Sequence, residues 1–507
     1  MPISEYGSLN TTALVVPDVY VQILSPSLVL LNGVPTNVVG VVGTAIWGPV
    51  GRPVGVGSYA EYVANFGPLQ ARTYDMGTQI AAMIQQGAQN FKAVRVTDGS
   101  DTAAAANIGT NGLTVTSRYT GSGGNGISVA IGTGSKASSY KVTVSFPNSG
   151  RVPEVFDNIT GTGNALWVAI ASALNNGIAG QRSASDIVLA SAGASTTAPT
   201  LATTTLSGGT DGATNVTQTT LLGSDGASRT GMYALRGTGA SIGVLADAYT
   251  PGSTWAAQMA FGLAEGIYMI VSGPAGEVIS SAASAKSAAG IDHRDMKVLL
   301  GDWVYWNDPT TNLIRLISPV PFSAGRLANL GPHQSSLNKP MFGVVGTQRS
   351  ASGQPYSQQN LQDLAQAGID VICNPLPGGS YFGARFGRNS SSQAGMKGDN
   401  HTRMTNYLAA TLNSGMGVYV GLPITDDLLR QIGVTIDSFM AALVQQNMLD
   451  KYSTLCNRSN NPEARTKLGY VQVDVKAQYL AILENLLVNL EGGQTVKVQT
   501  LSTQIAA

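Results

Sequence analysis

The feature that most constrains the fold is an alternation of short apolar strands with amphipathic helices. Residues 38–47 form a continuous apolar run typical of a buried strand. Residues 58–67 have helix-boundary chemistry, with a serine at the start, a glutamate three residues later and a glycine at the end. A second helix is predicted over 75–86 and a strand over 91–96. Strand, helix and strand in this order predict an α/β core.

This rhythm is interrupted by a stretch rich in Ala, Gly, Ser and Thr, from about residue 101 to 206. Alternating apolar residues in 113–119, 127–131 and 140–146 predict short strands, and 165–173 predicts one helix among them. The turn-rich sequence LSGGTDGA closes the stretch. We interpret it as an inserted, mostly β domain.

The α/β rhythm then resumes towards the end of the chain. Helices are predicted over 255–263, 361–368, 403–412, 426–432 and 436–447. Strands are predicted over 266–271, 297–306 and 369–373.

Both ends of the chain carry apolar-alternating strands that are set off from the body. The alternating residues are Val19, Val21 and Ile23 near the start, Val471, Val473 and Val475 later on, and Val496 and Val498 near the end. An isolated strand leaves its backbone groups unpaired, so each must pair within its own chain or with the sheet edge of a neighbour. By composition, the hinges or linkers beside the terminal strands are Pro26, Gly33, Gly492 and Gly493.

The predicted fold class is therefore α/β (α+β) and multi-domain, with a core built from the two stretches of chain that flank the insertion. The expected divisions are an N-terminal arm (1–35), a first core segment (36–100), an inserted β-rich domain (101–206), a second core segment (207–490) and a C-terminal arm (491–507).

Charge and composition limit the classes of function that fit this chain. Only 11% of the 507 residues are charged, with 29 basic and 29 acidic residues, so a large share of the surface is expected to meet other protein. The sequence contains no block of basic residues of the kind that indicates direct nucleic-acid binding. The start of the chain shows no signal peptide, and no apolar run is long enough to span a membrane. Cys373 and Cys456 are expected to be reduced thiols.

Two motifs resemble catalytic or cofactor sequences. GSGGNG at 121–126 matches a dinucleotide-binding fingerprint, but an apolar strand sequence follows it where that site needs a helix. GASIG places Ser241 in a nucleophile-elbow pattern, with His293, His333 and His401 downstream, and an extended sequence follows here too. The histidines and cysteines show no metal-binding spacing. We expect no enzyme activity, cofactor or metal; a serine hydrolase using Ser241 and a Gly/Ser/Thr-rich surface adhesin are the alternatives.

Several blocks of the sequence resemble contractile tail sheath proteins. PDVYVQIL is similar to the family's PGVYVEE-type opening, with Asp18 in place of the usual glycine. TNVVGVVGTAIWGPVGRPVGVGSYAEYVANFG resembles the block that follows it. Four later blocks also resemble sequences of this family: TSRYTGSGGNGISVAI, GDWVYW, LNKPMFGVVGTQR and AGIDVICNPLPGGSYFGARFGRNSS. Residues 382–386 read FGARF where many sheaths have WGART.

The resemblance implies a structural subunit that polymerises helically around an inner tube and contracts to drive it through a host envelope. It implies an insertion that faces outward and arms that pair with strands of neighbouring copies. The implied partners are further copies of the chain, the inner tail tube protein, and baseplate and tail terminator proteins, without direct nucleic-acid contact or membrane insertion. The implied location is a virion tail assembled in the host cytoplasm.

Overall fold

The computed structural model describes residues 4–6, 21–23, 31–146, 150–250 and 254–490. Near the N-terminus, β1 (Ser4–Tyr6) pairs in parallel with β2 (Val21–Ile23), with Ser4 opposite Val21. The remaining elements form a central sheet, an inserted β unit, a small antiparallel sheet and a C-terminal helical unit.

The central sheet has six strands in the order β15-β14-β13-β3-β5-β4. Its strands are β3 (Val38–Gly43), β4 (Pro53–Val56), β5 (Asn90–Arg95), β13 (Ile242–Leu245), β14 (Tyr268–Ser272) and β15 (Met296–Leu299). All pairings are parallel except that of β4, which is an antiparallel edge strand. The inner strands are buried along almost their whole length, as expected when helices cover both faces.

Among the described residues, six helices pack on this sheet: those predicted over 58–67, 75–86 and 255–263, and three more that were not predicted. They are α1 (Tyr59–Phe66), α2 (Met76–Gln85), α4 (Gln218–Leu222), α5 (Ala256–Glu265), α6 (Ile279–Ala288) and α7 (Val320–Ala328). The first helix begins where predicted, because the Ser58 side chain accepts a hydrogen bond from the Glu61 amide. The α2 helix begins at Asp75, which accepts from the Thr78 amide in the same way.

The chain leaves the central sheet after β5 and returns at β13. Between them lie two antiparallel sheets, ordered β10-β9-β8-β12 and β11-β7-β6, and one long helix. These elements are β6 (Ala105–Ile108), β7 (Leu113–Ser117), β8 (Ser128–Thr133), β9 (Tyr140–Ser145), β10 (Glu154–Ile159), α3 (Asn164–Asn176), β11 (Val188–Ala192) and β12 (Thr203–Thr205).

A third unit follows β15 and includes a sheet ordered β17-β16-β18. Its elements are β16 (Val304–Asn307), β17 (Ile314–Ile317), β18 (Val344–Thr347), α8 (Gln348–Ala351), α9 (Gln358–Ala367), β19 (Ile372–Cys373) and β20 (Gly383–Ala384). The single strand predicted over 297–306 is wrong: Gly301 and Asp302 separate β15 from β16, and the two strands belong to different sheets.

The C-terminal unit contains α10 (Asp399–Gly415), α11 (Asp426–Gln445), β21 (Lys451–Leu455), α12 (Glu463–Thr466) and β22 (Asp474–Gln478). The two helices predicted over 426–432 and 436–447 are a single helix, because Gly433 continues the helical stretch without a break. Cys373 and Cys456 are free thiols. Among the described residues, no helix is long and apolar enough to cross a membrane.

Candidate assembly site

The C-terminal unit is built around the long helix α11. Thr425 caps it by accepting a hydrogen bond from the Leu428 amide, and two aspartates lie in its first turn, where the helix dipole favours them. Buried residues recur every three or four positions along it: Leu428, Leu429, Ile432, Thr435, Ile436, Phe439, Met440 and Leu443. This stripe packs against α10 and one face of a small sheet.

That sheet is a pair of antiparallel strands, β21 and β22, with Leu455 opposite Asp474 and Lys451 opposite Gln478. Alternate side chains of the second strand and the segment before it pack on the helices: Val471, Val473, Val475 and Ala477. Lys476 and Gln478 are exposed. The alternation predicted from the sequence therefore separates a core-facing side from a solvent-facing side, although the regular strand begins at Asp474 and not at Val471.

A groove of about 1010 Å³ runs beside β22, which we call the β22 groove. One wall is Val471, Val473 and Val475, and the floor includes Leu428, Ile432 and Ile436 of α11. Its rim carries large apolar side chains that face solvent: Val420 (85% exposed), Leu422 (49%) and Tyr470 (67%). The three α11 side chains at the floor are themselves buried, so the exposed apolar surface of the groove lies on its rim.

The outer edge of β22 borders this groove. Within the described ranges, β22 pairs only with β21, so both outer edges of the two-stranded sheet offer backbone N–H and C=O groups to a further strand. A strand added beside β22 would lie next to the apolar side chains that line this groove. The geometry therefore provides backbone pairing and an apolar pocket at the same place, which is the requirement for β-augmentation.

A buried charge cluster fixes this unit to the central sheet. Lys297 of β15 contacts the carboxylates of Asp370 at 2.6 Å and Asp399 at 3.0 Å, and all three side chains are fully buried. Asp399 is the first residue of α10 and also accepts from the hydroxyls of Tyr268 and Ser336. Burial opposes ionisation of Asp399, but the Lys297 ammonium and the two hydroxyls outweigh it and lower its pKa. The helix start is thereby held at a defined position on the sheet.

The structure brings only some of the predicted site residues together. Val471, Val473 and Val475 lie side by side in the groove wall. Val21 and Ile23 lie on β2, which pairs with β1 of the same chain. Gly33 lies against Tyr407, whose hydroxyl would collide with any β-carbon there. The other predicted strand and linker residues lie outside the described residues: Val19, Pro26, Gly492, Gly493, Val496 and Val498.

The two motifs with enzyme-like patterns are each followed by a strand, where the corresponding sites need a helix. Residues 122–126 form a short 3-10 turn that leads into β8, and a β-carbon at Gly121 would collide with the Ile46 carbonyl, so the glycine allows close approach. Ser241 lies directly before β13, and its hydroxyl donates to the Val38 carbonyl at 3.1 Å. Within the described residues, no group of three or more His, Cys, Asp or Glu side chains is arranged to hold a metal ion.

Sequence reasoning missed the groove itself. Its rim comes from the apolar loop around Val420 and Leu422. One sequence signal indicates it: GVYVGLP puts five large apolar or proline residues into the connection that follows a helix, where polar residues are usual.

The whole chain resembles solved sheath structures. It matches a sheath tail protein from Desulfitobacterium hafniense with a TM-score of 0.56 and 15% identity, over 86% of this chain and 93% of that one. A sheath tail protein from Listeria innocua matches with a TM-score of 0.58 and 14% identity, over 83% of this chain and 88% of that one. The sheath of an extracellular contractile injection system, PVC, in its contracted state matches with a TM-score of 0.52 and 12% identity. This match covers 96% of this chain and 99% of that one. No family model and no curated protein matches the sequence. The chain has the fold of contractile tail sheath proteins.

Proposed function

We propose that the chain is the structural subunit of a contractile tail sheath. It polymerises helically around an inner tube and contracts to drive the tube through a host envelope. The observation that carries this proposal is the apolar β22 groove beside an unpaired strand edge, in a chain with the sheath fold throughout. The role is structural, with no catalytic step.

The arms are the proposed occupants of the free edges. Val19, Val21 and Ile23 of one copy, and Val496 and Val498 of another, add strands beside the strand of 471–477 in a neighbour. Their alternating valines and isoleucine match the apolar groove, while the intervening polar residues face solvent. The pairing of β2 with β1 within one chain is then replaced on assembly by pairing with a neighbour.

The energy of one such contact is moderate. About five backbone hydrogen bonds at roughly 0.5–1.5 kcal/mol each give about 3–7 kcal/mol per arm before the cost of ordering it. A contact that joins different surfaces of two copies does not close on itself and generates a helix. Repeated along that helix, moderate contacts form a continuous mesh.

During contraction, the mesh is kept while the bodies re-dock, and the linkers at Pro26, Gly33, Gly492 and Gly493 act as hinges. The inserted unit (101–206) faces outward and the C-terminal unit faces the tube. The further partners are the tube protein, the baseplate and the tail terminator, and the assembled location is a virion tail built in a host cytoplasm. The PVC structure that the fold matches is a sheath in the contracted state, which supports this proposal.

A proline in the C-terminal arm tests the strand-addition mechanism. Val498→Pro removes one backbone N–H and should break the added strand, whereas Val498→Ala keeps the N–H and serves as the matched control. We expect Val498→Pro to stay folded by circular dichroism and to sediment as monomers or short oligomers, while Val498→Ala assembles. Unfolding of Val498→Pro would place the strand within its own chain, and normal assembly of this variant would refute the mechanism.

A further inference from the structure

The segment that follows β22, residues 479–490, has no regular secondary structure. Several contacts hold its first half on the surface. Arg388 pairs with Glu484 at 2.6 Å, the hydroxyls of Thr405 and Tyr479 lie 2.8 Å apart, and the Asn400 side chain donates to the Leu480 carbonyl at 3.4 Å. From Leu483 onwards, the segment exposes large apolar side chains to solvent: Leu483 (71%), Leu486 (76%), Leu487 (84%), Val488 (71%) and Leu490 (89%). So dense an exposed apolar cluster indicates a surface that is covered in the functional state.

The spacing of these residues is that of an amphipathic helix. Leu483, Leu486, Leu487 and Leu490 are related by three, four and seven positions, so a helix would place all four leucines on one face. Glu484, Asn485, Val488 and Asn489 would lie away from it, and Gly492 and Gly493 follow as helix-stop residues. A helix this short is marginal in water by itself. It needs a surface to cover its leucines.

A matching surface exists on the three-stranded sheet β17-β16-β18. One face packs on the core through Val304, Trp306 and Ile317. The other face, which we call the open sheet face, would be polar in an ordinary antiparallel sheet with one solvated side. Here it carries the exposed Ile314 (63%) and Leu316 (37%) beside Tyr305 and Asn307. Three further exposed apolar side chains lie at its rim: Leu313 (63%), Phe342 (51%) and Val345 (55%).

We infer that residues 483–490 of one copy fold into a helix on the open sheet face of a second copy. A helix with one apolar stripe and a sheet with one bare apolar face are complementary layers. The segment also leads directly into the C-terminal arm, so it lies on the path by which that arm reaches a neighbour. The inference rests on the proposed function, because it requires that copies of the chain assemble.

Disulfide trapping tests which surface the segment contacts. In a Cys456→Ser background, Leu487→Cys is combined with Ile314→Cys, and assembled protein is oxidised and run on a non-reducing gel. We expect a ladder of cross-linked multimers. The control pair, Leu487→Cys with Val152→Cys, uses an exposed residue of the inserted unit (83% exposed) and should give monomers. A fast-migrating cross-linked monomer would mean that the segment docks on its own chain and would overturn the inference.

Helix formation is tested separately at Asn489, which would lie on the side of the helix away from the leucines. Asn489→Pro should disrupt the helix and reduce the multimer ladder at least tenfold, whereas Asn489→Ala, a better helix former, should keep it. If the chain forms cylinders but the Leu487–Ile314 cysteine pair gives no multimer ladder and Asn489→Pro has no effect, this inference is overturned. The proposed function would still stand. A chain that forms no assemblies at all would overturn both.

Discussion

At the scale of single residues, two carboxyl groups lie buried where β3 and β13 end side by side. Burial raises the pKa of Asp75 to about 6, despite hydrogen bonds from the Thr78 hydroxyl and amide. Burial, and then the neighbouring Asp75 carboxyl, raise the pKa of Asp247 to about 6 as well. Asp247 accepts from the Tyr74 amide at 3.1 Å and from the Gln79 side chain at 3.0 Å.

These groups make stability depend on pH in a defined direction. The folded chain takes up protons at these carboxyls as the pH falls through about 6, whereas the unfolded chain takes them up only near 4. Their contribution to stability is therefore fully present below about pH 4 and is lost as the pH rises from about 4 through about 6. The size is on the order of 3 kcal/mol per carboxyl as an upper value.

Asp247→Asn should remove the charge that is costly at high pH. We expect its thermal midpoint to rise by about 2–4 °C at pH 8 and by about half as much at pH 5, which lies midway between the unfolded and folded pKa values. Scanning calorimetry at the two pH values measures this, with Asp363→Asn on the exposed side of α9 as the control that shifts neither. A lower midpoint for Asp247→Asn at both pH values would show that its hydrogen bonds, and not its charge, matter most.

Local chemistry let some residue roles be predicted from the sequence. Ser58 caps its helix as predicted, because a cap depends on the next three residues only. Asp75, predicted as the first residue of the second helix, is its cap. The Lys297 cluster could not be predicted from the sequence, because Asp370 and Asp399 lie far from Lys297 in the chain and contact it only in the folded protein. The pairing of Asp75 with Asp247 is hidden for the same reason.

At the scale of elements, hydrophobic periodicity found the elements more reliably than their ends. The helix α11 was predicted as two pieces because glycine is a poor helix former, yet Gly433 is held helical by packing of the residues around it. Conversely, the run that contains β15 and β16 was predicted as one strand, because continuous apolarity does not show a change of sheet. In both cases tertiary packing decides.

The inserted unit is joined to the core by more than its two linkers. Trp47 is fully buried in the hydrophobic cluster of the insertion, with ring centroids 5.0 Å from Tyr119 and 4.8 Å from Phe146. Arg95, at the end of β5, donates to the carbonyl of Thr120 within the insertion and to that of Asp211 just after it. The insertion therefore rests on the core through a packed and hydrogen-bonded contact.

Replacing residues 101–206 with a short Gly/Ser linker should leave the core folded and able to polymerise, provided that Trp47 is also changed. With Trp47→Ser, we expect soluble protein with native-like circular dichroism that forms cylinders of reduced outer diameter. The deletion without that substitution exposes the indole and should aggregate. If the Trp47→Ser deletion is unfolded, the core depends on the insertion and the proposed division of the chain is wrong.

At the scale of the whole molecule, the described body is tied together at two joints. Lys297 links the central sheet to the C-terminal unit through two buried carboxylates, and Arg95 links that sheet to the insertion. A body fixed in this way is suited to re-dock as one piece while the arms keep neighbouring copies connected. The unpaired edges, the β22 groove and the exposed leucines all lie in the last stretch of the body, from which the C-terminal arm departs.

Electron microscopy of the purified chain tests the central claim of self-assembly through the arms most directly. The full-length protein should form long hollow cylinders, and the same protein lacking residues 491–507 should remain folded but monomeric or in short oligomers. Full-length protein that stays monomeric, or truncated protein that still forms long cylinders, would contradict a sheath held together by its arms.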